Sequence, residues 1–505
     1  MPRLGRAVHT PWAWLLALLI GCRGAGAAPA ELRFWAMGRE GEVVQQLLPE
    51  LQRQHPEVHI SLQQIPWSAA HEKLLTAFVG GAMPDVFQVG STWIPELVAL
   101  GAVAPVGKQV AESAAAGDDV FSGILDANML DGRMWAMPWY VDTRLLFYRS
   151  DVLREAGWTQ PPADWATWRR AFEQIKQRAG AGRYALLLPV SEWQPPVILA
   201  MQRGAALLRD GDRYGDFEAT AFRDAFTFYV SLFTDGLAPA SAEGQIANLY
   251  QDFAGAFFSV YITGPWNLGE FAARLPASLS QSWATAPMPA PGPDSEACGL
   301  SIAGGSSLAV SATSPHADIA RQLVEALTDS AHQLELYRLT GDLPARRSAW
   351  TAGHLVDVPR VAAFWQQLQH VRTPPKIPEW ERIADTIERY AEATVRGDLT
   401  IDQALSGLDR DVDRILAKRR WLLDHATANA PNSTAQAPGF NAKARRCDES
   451  ATRPLSSGPI AGSELFSRAS HPYAAEPQRP ESPARLGAFA LRSPCALGAR
   501  RRCKA

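Results

Sequence analysis

The chain has 505 residues, of which 47% are hydrophobic, 20% charged and 9% aromatic, a composition that excludes a collagen-like, wholly disordered or multispanning membrane protein. A formal net charge of −3 leaves no overall basic field and argues against wholesale nucleic-acid binding. The charge is uneven: residues 426–505 carry 12 Lys and Arg against 5 Asp and Glu, so the body before them is mildly acidic. Seventeen Trp supply flat apolar faces with one N–H donor, suited to stacking on sugars or bases as well as to core packing.

Arg3 and Arg6 precede an apolar run from Trp12 to Ile20, followed by small residues through Ala30. That is the order of a secretory signal, and the run is too short to span a bilayer. Two cleavage readings stand side by side. Leu19-Ile20-Gly21-Cys22 looks like a lipobox that would leave Cys22 as a lipid anchor, whereas Ala28-Pro29-Ala30 has the A-x-A form of an ordinary site. Either predicts export, to the periplasm or the outer face of the cytoplasmic membrane. Of the five Cys, only Cys298 lies in the body, so neither a disulfide framework nor a Cys-based zinc site is expected there.

From Glu31 strand-like and helix-like segments alternate. ELRFW reads as a strand; Val43, Val44, Leu47, Leu48 and Leu51 recur at helical spacing up to Pro56; VHISLQQI alternates as a second strand. A helix over 69–79 ends at Gly80-Gly81, DVFQV reads as a buried strand, and a short helix follows Thr92. This alternation predicts an α/β domain with a mostly parallel sheet and a ligand site at the carboxyl ends of its strands. RLLFY and YALLL repeat the theme around a helix over 166–178, with further helices at 222–234 and 315–328. Residues 358–425 read as helical, including a stretch that begins at a Thr400 cap. Beyond His425 the text is rich in Ala, Pro, Ser and Arg without periodicity, which predicts a disordered basic tail over 426–505.

Six pieces then appear in order: WAMGRE (35–40), MPDVFQVGSTWIPELVALGAV, MPWYVDTRLLFYRSDVLREAG with PPADWATW, ITGPWNL, GGSSLAV and GDLPARR. Together they resemble the extracellular solute-binding proteins of ATP-driven sugar importers, the maltose-binding and trehalose/maltose-binding group, over roughly residues 31–425. The resemblance implies a periplasmic-binding-protein-like α/β fold with two lobes, a hinge crossed more than once and the ligand cleft between the lobes. One lobe is expected at 31–142 plus 299–345, the other at 143–298 plus 346–425. It also implies a monomeric receptor, with no cofactor or metal, that hands a small sugar to the membrane permease subunits of an ABC importer.

A sugar offers hydroxyls around a weakly apolar ring, so its receptor needs planar polar groups and aromatic faces. Trp35, Gly38, Arg39 and Glu40 follow the first strand, where the family supplies polar contacts; the bland reading is a solvated pair starting a helix. Gln88, Ser91, Thr92 and Trp93 follow the third strand, with Gly90 and Ser91 where the family often has an acidic residue. Asp85 is read as an anchor for backbone donors. Asp142 matches an acidic hinge residue that takes sugar hydroxyls, with Trp139 and Tyr140 beside it. Glu192, Trp193 and Gln194 follow the YALLL strand, where the family sets an acidic group by an aromatic platform. Trp266, behind Gly264-Pro265, matches the stacking tryptophan. Gly304 and Gly305 permit close backbone approach, and Ser306 stands where some relatives carry another Trp, a loss that either Trp365 or Trp380 makes up or that marks a different ligand. Arg346 offers a hydrogen-bond fork or, equally, a surface ion pair.

The favoured ligand is an α-linked glucose disaccharide, maltose or trehalose. Three alternatives stand: a same-fold receptor for glycerol 3-phosphate or another charged solute, for which Arg39, Arg144 and Arg346 are the available cations; a glycoside hydrolase with paired carboxylates; and a surface lectin. No GxxxxGKS/T, HExxH or GxSxG element is present.

Overall fold

The computed structural model describes residues 30–428, apart from 57, 109–110, 113–117, 243–244 and 293–298. The signal with Cys22, the body cysteine Cys298 and the tail beyond residue 428 lie outside the described residues. The strands of the two principal sheets are β1 (Ala30–Met37), β2 (Val58–Ile65), β3 (Val86–Gly90), β4 (Val103–Ala104), β5 (Met137–Asp142), β6 (Leu145–Arg149), β7 (Leu186–Leu187), β8 (Val260–Thr263), β9 (Trp283–Ala286), β10 (Gly304–Ser311) and β11 (Leu343–Pro344).

One lobe is built on a sheet with the order β11-β5-β10-β3-β1-β2, β4 also pairing with β10. Along β1 the side chains alternate: one face is buried from Leu32 to Ala36, while on the other Glu31 and Arg33 are exposed, Trp35 is half-buried and only Met37 is buried. Leu32, Phe34 and Ala36 join Val44 and Leu51 on one side, while Met37 joins Ala70, Leu74 and Phe87 on the other. The second lobe has the order β9-β6-β8-β7. Its largest apolar core unites Trp168 and Phe172 of the helix Trp165–Ala179 with Phe226, Ile383 and Leu408 from later helices.

The expected mostly parallel sheet is a correction. In the first sheet β1 runs parallel to β2 and β3, but β10 lies antiparallel to β3, β4 and β5, and β11 antiparallel to β5. The reason is topological: β10 returns from the second lobe and inserts between β3 and β5 from the opposite direction. In the second sheet only β7 and β8 are parallel.

Local signals otherwise map closely. The helix predicted across 43–51 is broken into Gly38–Val43, a 3-10 turn at Val44–Gln46 and Leu48–Gln54, since Pro49 cannot donate inside a continuous helix. Thr400 forms a full capping box with Gln403 at the head of Ile401–Ile415. The helix Arg347–Ala352 follows β11 closely: Trp350 donates its indole N–H to the Pro344 carbonyl at 2.7 Å and shares a core with Leu334. No described helix is long and apolar enough to cross a membrane.

Candidate functional site

The parallel register aligns Met37 with Ile65 and Trp35 with Phe87, so the turns after β1, β2 and β3 emerge at one end of the first sheet. The antiparallel strands deliver their ends to the same edge: Ser306 pairs with Gly90, Gly304 with Asp142, and Leu343 with Val141. Gly38–Glu40, Ser91–Trp93, Asp142 and Asp342 therefore share one rim. In the second sheet Leu145 pairs with Thr263, which puts Arg144 and Gly264–Trp266 at one end, beside the turn after β7 that carries Glu192–Gln194. Only Thr143 and Arg144 separate β5 from β6, so the two rims face each other.

The first rim holds an acidic centre. Glu40 and Asp342 are buried beside Tyr140. Burial, and then the Glu40 charge, push the Asp342 carboxyl well above its ordinary range, and burial with the charges of both acids pushes the Tyr140 hydroxyl up. Gln88 is fully buried beneath them; it accepts the Met37 N–H at 2.6 Å and donates to the Tyr140 oxygen at 3.2 Å. Gln88 thus orients Tyr140 and is not itself exposed to a ligand.

The rim aromatics are clustered. Trp93 meets Trp67 edge-on at 5.8 Å and His71 at 5.0 Å, and Lys73 lies over Trp35 at 4.7 Å. Trp67 went unpredicted; it directly follows β2, and its place at a strand's carboxyl end is the signal that points to it. A Cβ on Gly38, whose φ is +48°, would fall 2.7 Å from the Trp67 ring, so this glycine makes room for Trp67. Asp342, also missed, heads the GDLP segment just before β11.

In the second rim Trp193 meets the buried Trp380 edge-on at 5.4 Å, so Trp380 is a backing residue. Gln194 has a buried amide oxygen without a protein partner. Glu381 reaches from Trp380–Val395 toward the first lobe: burial raises its carboxyl, an effect softened by hydrogen bonds with Thr92 and Trp93. Thr92 and Trp93 thereby face the opposite lobe. Trp266 is 39% exposed. Its indole lies against Gly264, where a Cβ would stand 1.8 Å from the Trp266 Cζ3. Gly264→Ala is therefore expected to expel the indole and lower sugar affinity to that of a chain lacking Trp266, with unchanged circular dichroism; titration calorimetry on the two variants makes the comparison.

Beside Gln88, five expected contacts are corrected. Trp139 is wholly buried against Phe34 and Tyr140 because inward alternation along β5 drives its ring into the core. Arg346 pairs with Asp119 at 2.9 Å and donates to the Thr328 carbonyl at 2.7 Å, an ion pair as in the second reading but only 12% exposed and not on the surface. Trp365 packs on Phe121 and Trp350 at 5.2 and 5.4 Å, in a cluster that contains none of the rim residues. Gly304 and Gly305 are needed for strand contact: a Cβ would meet the Asp142 carbonyl oxygen at 2.9 Å and that of Tyr140 at 2.4 Å. Asp85 does anchor backbone, accepting the Arg33 N–H at 2.8 Å.

Residues 36–334 match the family model of bacterial extracellular solute-binding proteins. The sugar-binding protein MalE from the phytopathogen Xanthomonas citri is 42% identical, with 78% of this chain and 99% of that one covered at a TM-score of 0.73. The diacetylchitobiose-binding protein DasA of Streptomyces coelicolor is 24% identical over 67% of this chain and 78% of its own length. UgpB from Mycobacterium tuberculosis, solved with glycerophosphocholine, is 20% identical over 77% and 99% of the two chains at a TM-score of 0.65, a likeness of fold. The chain belongs to the bacterial extracellular solute-binding proteins, the binding components of ABC importers, and has their two-lobed periplasmic-binding-protein fold. A member of this extracellular family works outside the cytoplasm.

Proposed function

We propose that this chain captures a neutral sugar, an α-linked glucose disaccharide such as maltose or trehalose, between its lobes and delivers it to an ABC permease. The observation that carries the reading is the state of the three cations a charged solute would need. Arg346 is tied to Asp119, Arg39 donates to the Leu339 carbonyl at 3.2 Å, and Arg144 lies among two carboxylates and an indole. Apart from these cations, from Lys73, which lies over Trp35, and from His71 against Trp93, the rims offer carboxyls and aromatic faces, which suit hydroxyls and a sugar ring. Glu40, Asp342, Asp142, Glu192, Trp193, Gln194 and Trp266 are the proposed contacts, with Trp35, Arg39, Ser91, Thr92 and Trp93 at the rim.

Closure follows because only a closed cleft lets both rims touch one ligand. The permease reads that state, and the transport energy comes from a cytoplasmic ATPase, so this chain binds without catalysing. The proposed lobes are about 31–142 with 299–345, and 143–298 with 346–425. The receptor is a monomer, released by cleavage near Ala30 or anchored through Cys22. The identity of 42% with a sugar-binding MalE supports the sugar class.

A thermal-shift panel of maltose, trehalose, sucrose, glucose, maltodextrins and glycerol 3-phosphate tests this, with calorimetry on any hit. A ligand at a hundred times its Kd adds about 2.7 kcal/mol of stability. A shift with one α-glucoside is expected. A shift with the phosphate alone overturns the ligand and keeps the fold.

A further inference from the structure

We propose that Arg144 is the positioning residue of this cleft, the single group that sets the stacking tryptophan and two site carboxylates relative to one another. It stands in the two-residue link between β5 and β6, where the chain passes from lobe to lobe. Its side chain is only 8% exposed, and it lies 3.4 Å from the Asp142 carboxylate and 3.7 Å from that of Glu192. Its guanidinium carbon lies 4.5 Å from the centre of the Trp266 ring. Asp142 ends β5 of the first sheet, whereas Glu192 and Trp266 follow strands of the second, so one guanidinium touches both rims.

The chemistry explains why arginine stands here. A buried cation is tolerated only when paired, and here it faces two anions. A guanidinium has nitrogens for two carboxylates at once and a flat face that stacks on an indole. An ammonium supplies the charge without the plane. The backbone is tied as well: the Arg144 carbonyl accepts the buried Ser301 hydroxyl at 2.7 Å, which fastens this crossing to the one that returns toward β10. With one cation among two carboxylates the cluster keeps an excess of negative charge, which favours neutral ligands over anions. Arg144 thus acts through Trp266, Asp142 and Glu192, and its value for binding rests on the sugar reading above.

The test has an arm that needs no ligand. In the full chain labelled with 5-fluorotryptophan, the Trp266 resonance is identified by its loss in W266F. The expected result is that this line moves by more than its width in R144M, returns partly in R144K, and stays still in R203M, a surface control paired with Asp224. Affinity for maltose or trehalose, whichever the wild type binds, falls about tenfold or more in R144M and recovers partly in R144K. An unmoved Trp266 line overturns the proposal, as does a moved line with unchanged affinity. If the wild type binds neither sugar, the sugar reading fails, while a moved line still upholds the tether of Trp266 to Arg144. Should R144M fail to fold, R144K decides alone: an unmoved line and unaltered affinity overturn the proposal.

Discussion

Trp266→Ala is expected to weaken sugar binding by about 0.5 to 3 kcal/mol, a stacking contact plus the area it covers, while the melting curve of the ligand-free protein hardly moves. The two halves of that expectation have separate causes. The ring follows β8 at the end of the second sheet that faces the first lobe, and it is 39% exposed, so its removal opens little core. What it loses is a rigid flat face, held by Gly264 behind it and by the Arg144 guanidinium. Calorimetry of the variant with the sugar that shifts the wild type, paired with a melt of each empty protein, separates binding from stability. An unchanged affinity would remove Trp266 from the site.

Arg346→Ala is expected to do the opposite: to cost about 2 to 3 kcal/mol of stability and leave sugar affinity alone. Its side chain is 12% exposed and that of Asp119 24%, so the loss falls somewhat below that of a fully buried pair. Removing it takes the cation from the Asp119 carboxylate, which keeps the Ser348 N–H, and one of two donors from the Thr328 carbonyl, which keeps the Gln333 amide. Burial raises the Asp119 carboxyl, but hydrogen bonds from Arg346 and Ser348 outweigh it and hold the group below its ordinary value of 3.8. A carboxyl lowered in the folded state binds fewer protons there than in the unfolded chain, so its contribution is fully present above that value and lost as pH falls through the folded one. The stability gap between wild type and variant is therefore widest near neutrality and narrows in acid. Denaturant melts at neutral pH and near pH 3 measure it; a gap that stays constant, or a changed sugar affinity, would refute the structural role.

These two residues also mark how far sequence reading reached. Both lie in motifs shared with the family, GPW and LPARR, and both were offered as contacts. Trp266 stays among the proposed contacts because a glycine beside it leaves its ring at a strand's exposed end. Arg346 does not, because Asp119, distant in sequence, folds against it. Trp139 and Asp142, three residues apart on one strand, diverge in the same way, since the core takes the indole and the rim takes the carboxylate. Trp67 sits in no recognisable string, and Asp342 sits in one, GDLPARR, that drew attention only to Arg346; the sheet brings both to the rim.

Periodicity, caps and breakers by themselves determined most elements, from the strand over 58–65 to the helix headed by Thr400, because these depend on neighbours a few residues apart. The order of short motifs after a secretory signal determined the family and the two-lobed plan. Tertiary structure alone decided that β10 returns antiparallel between β3 and β5, that Glu40 and Asp342 meet under Tyr140, and that Arg144 stands among Asp142, Glu192 and Trp266. Each of these joins residues tens to hundreds of positions apart. Whether a charged group is a contact or a structural partner depends on which opposite charge the fold sets beside it, and no local pattern carries that information.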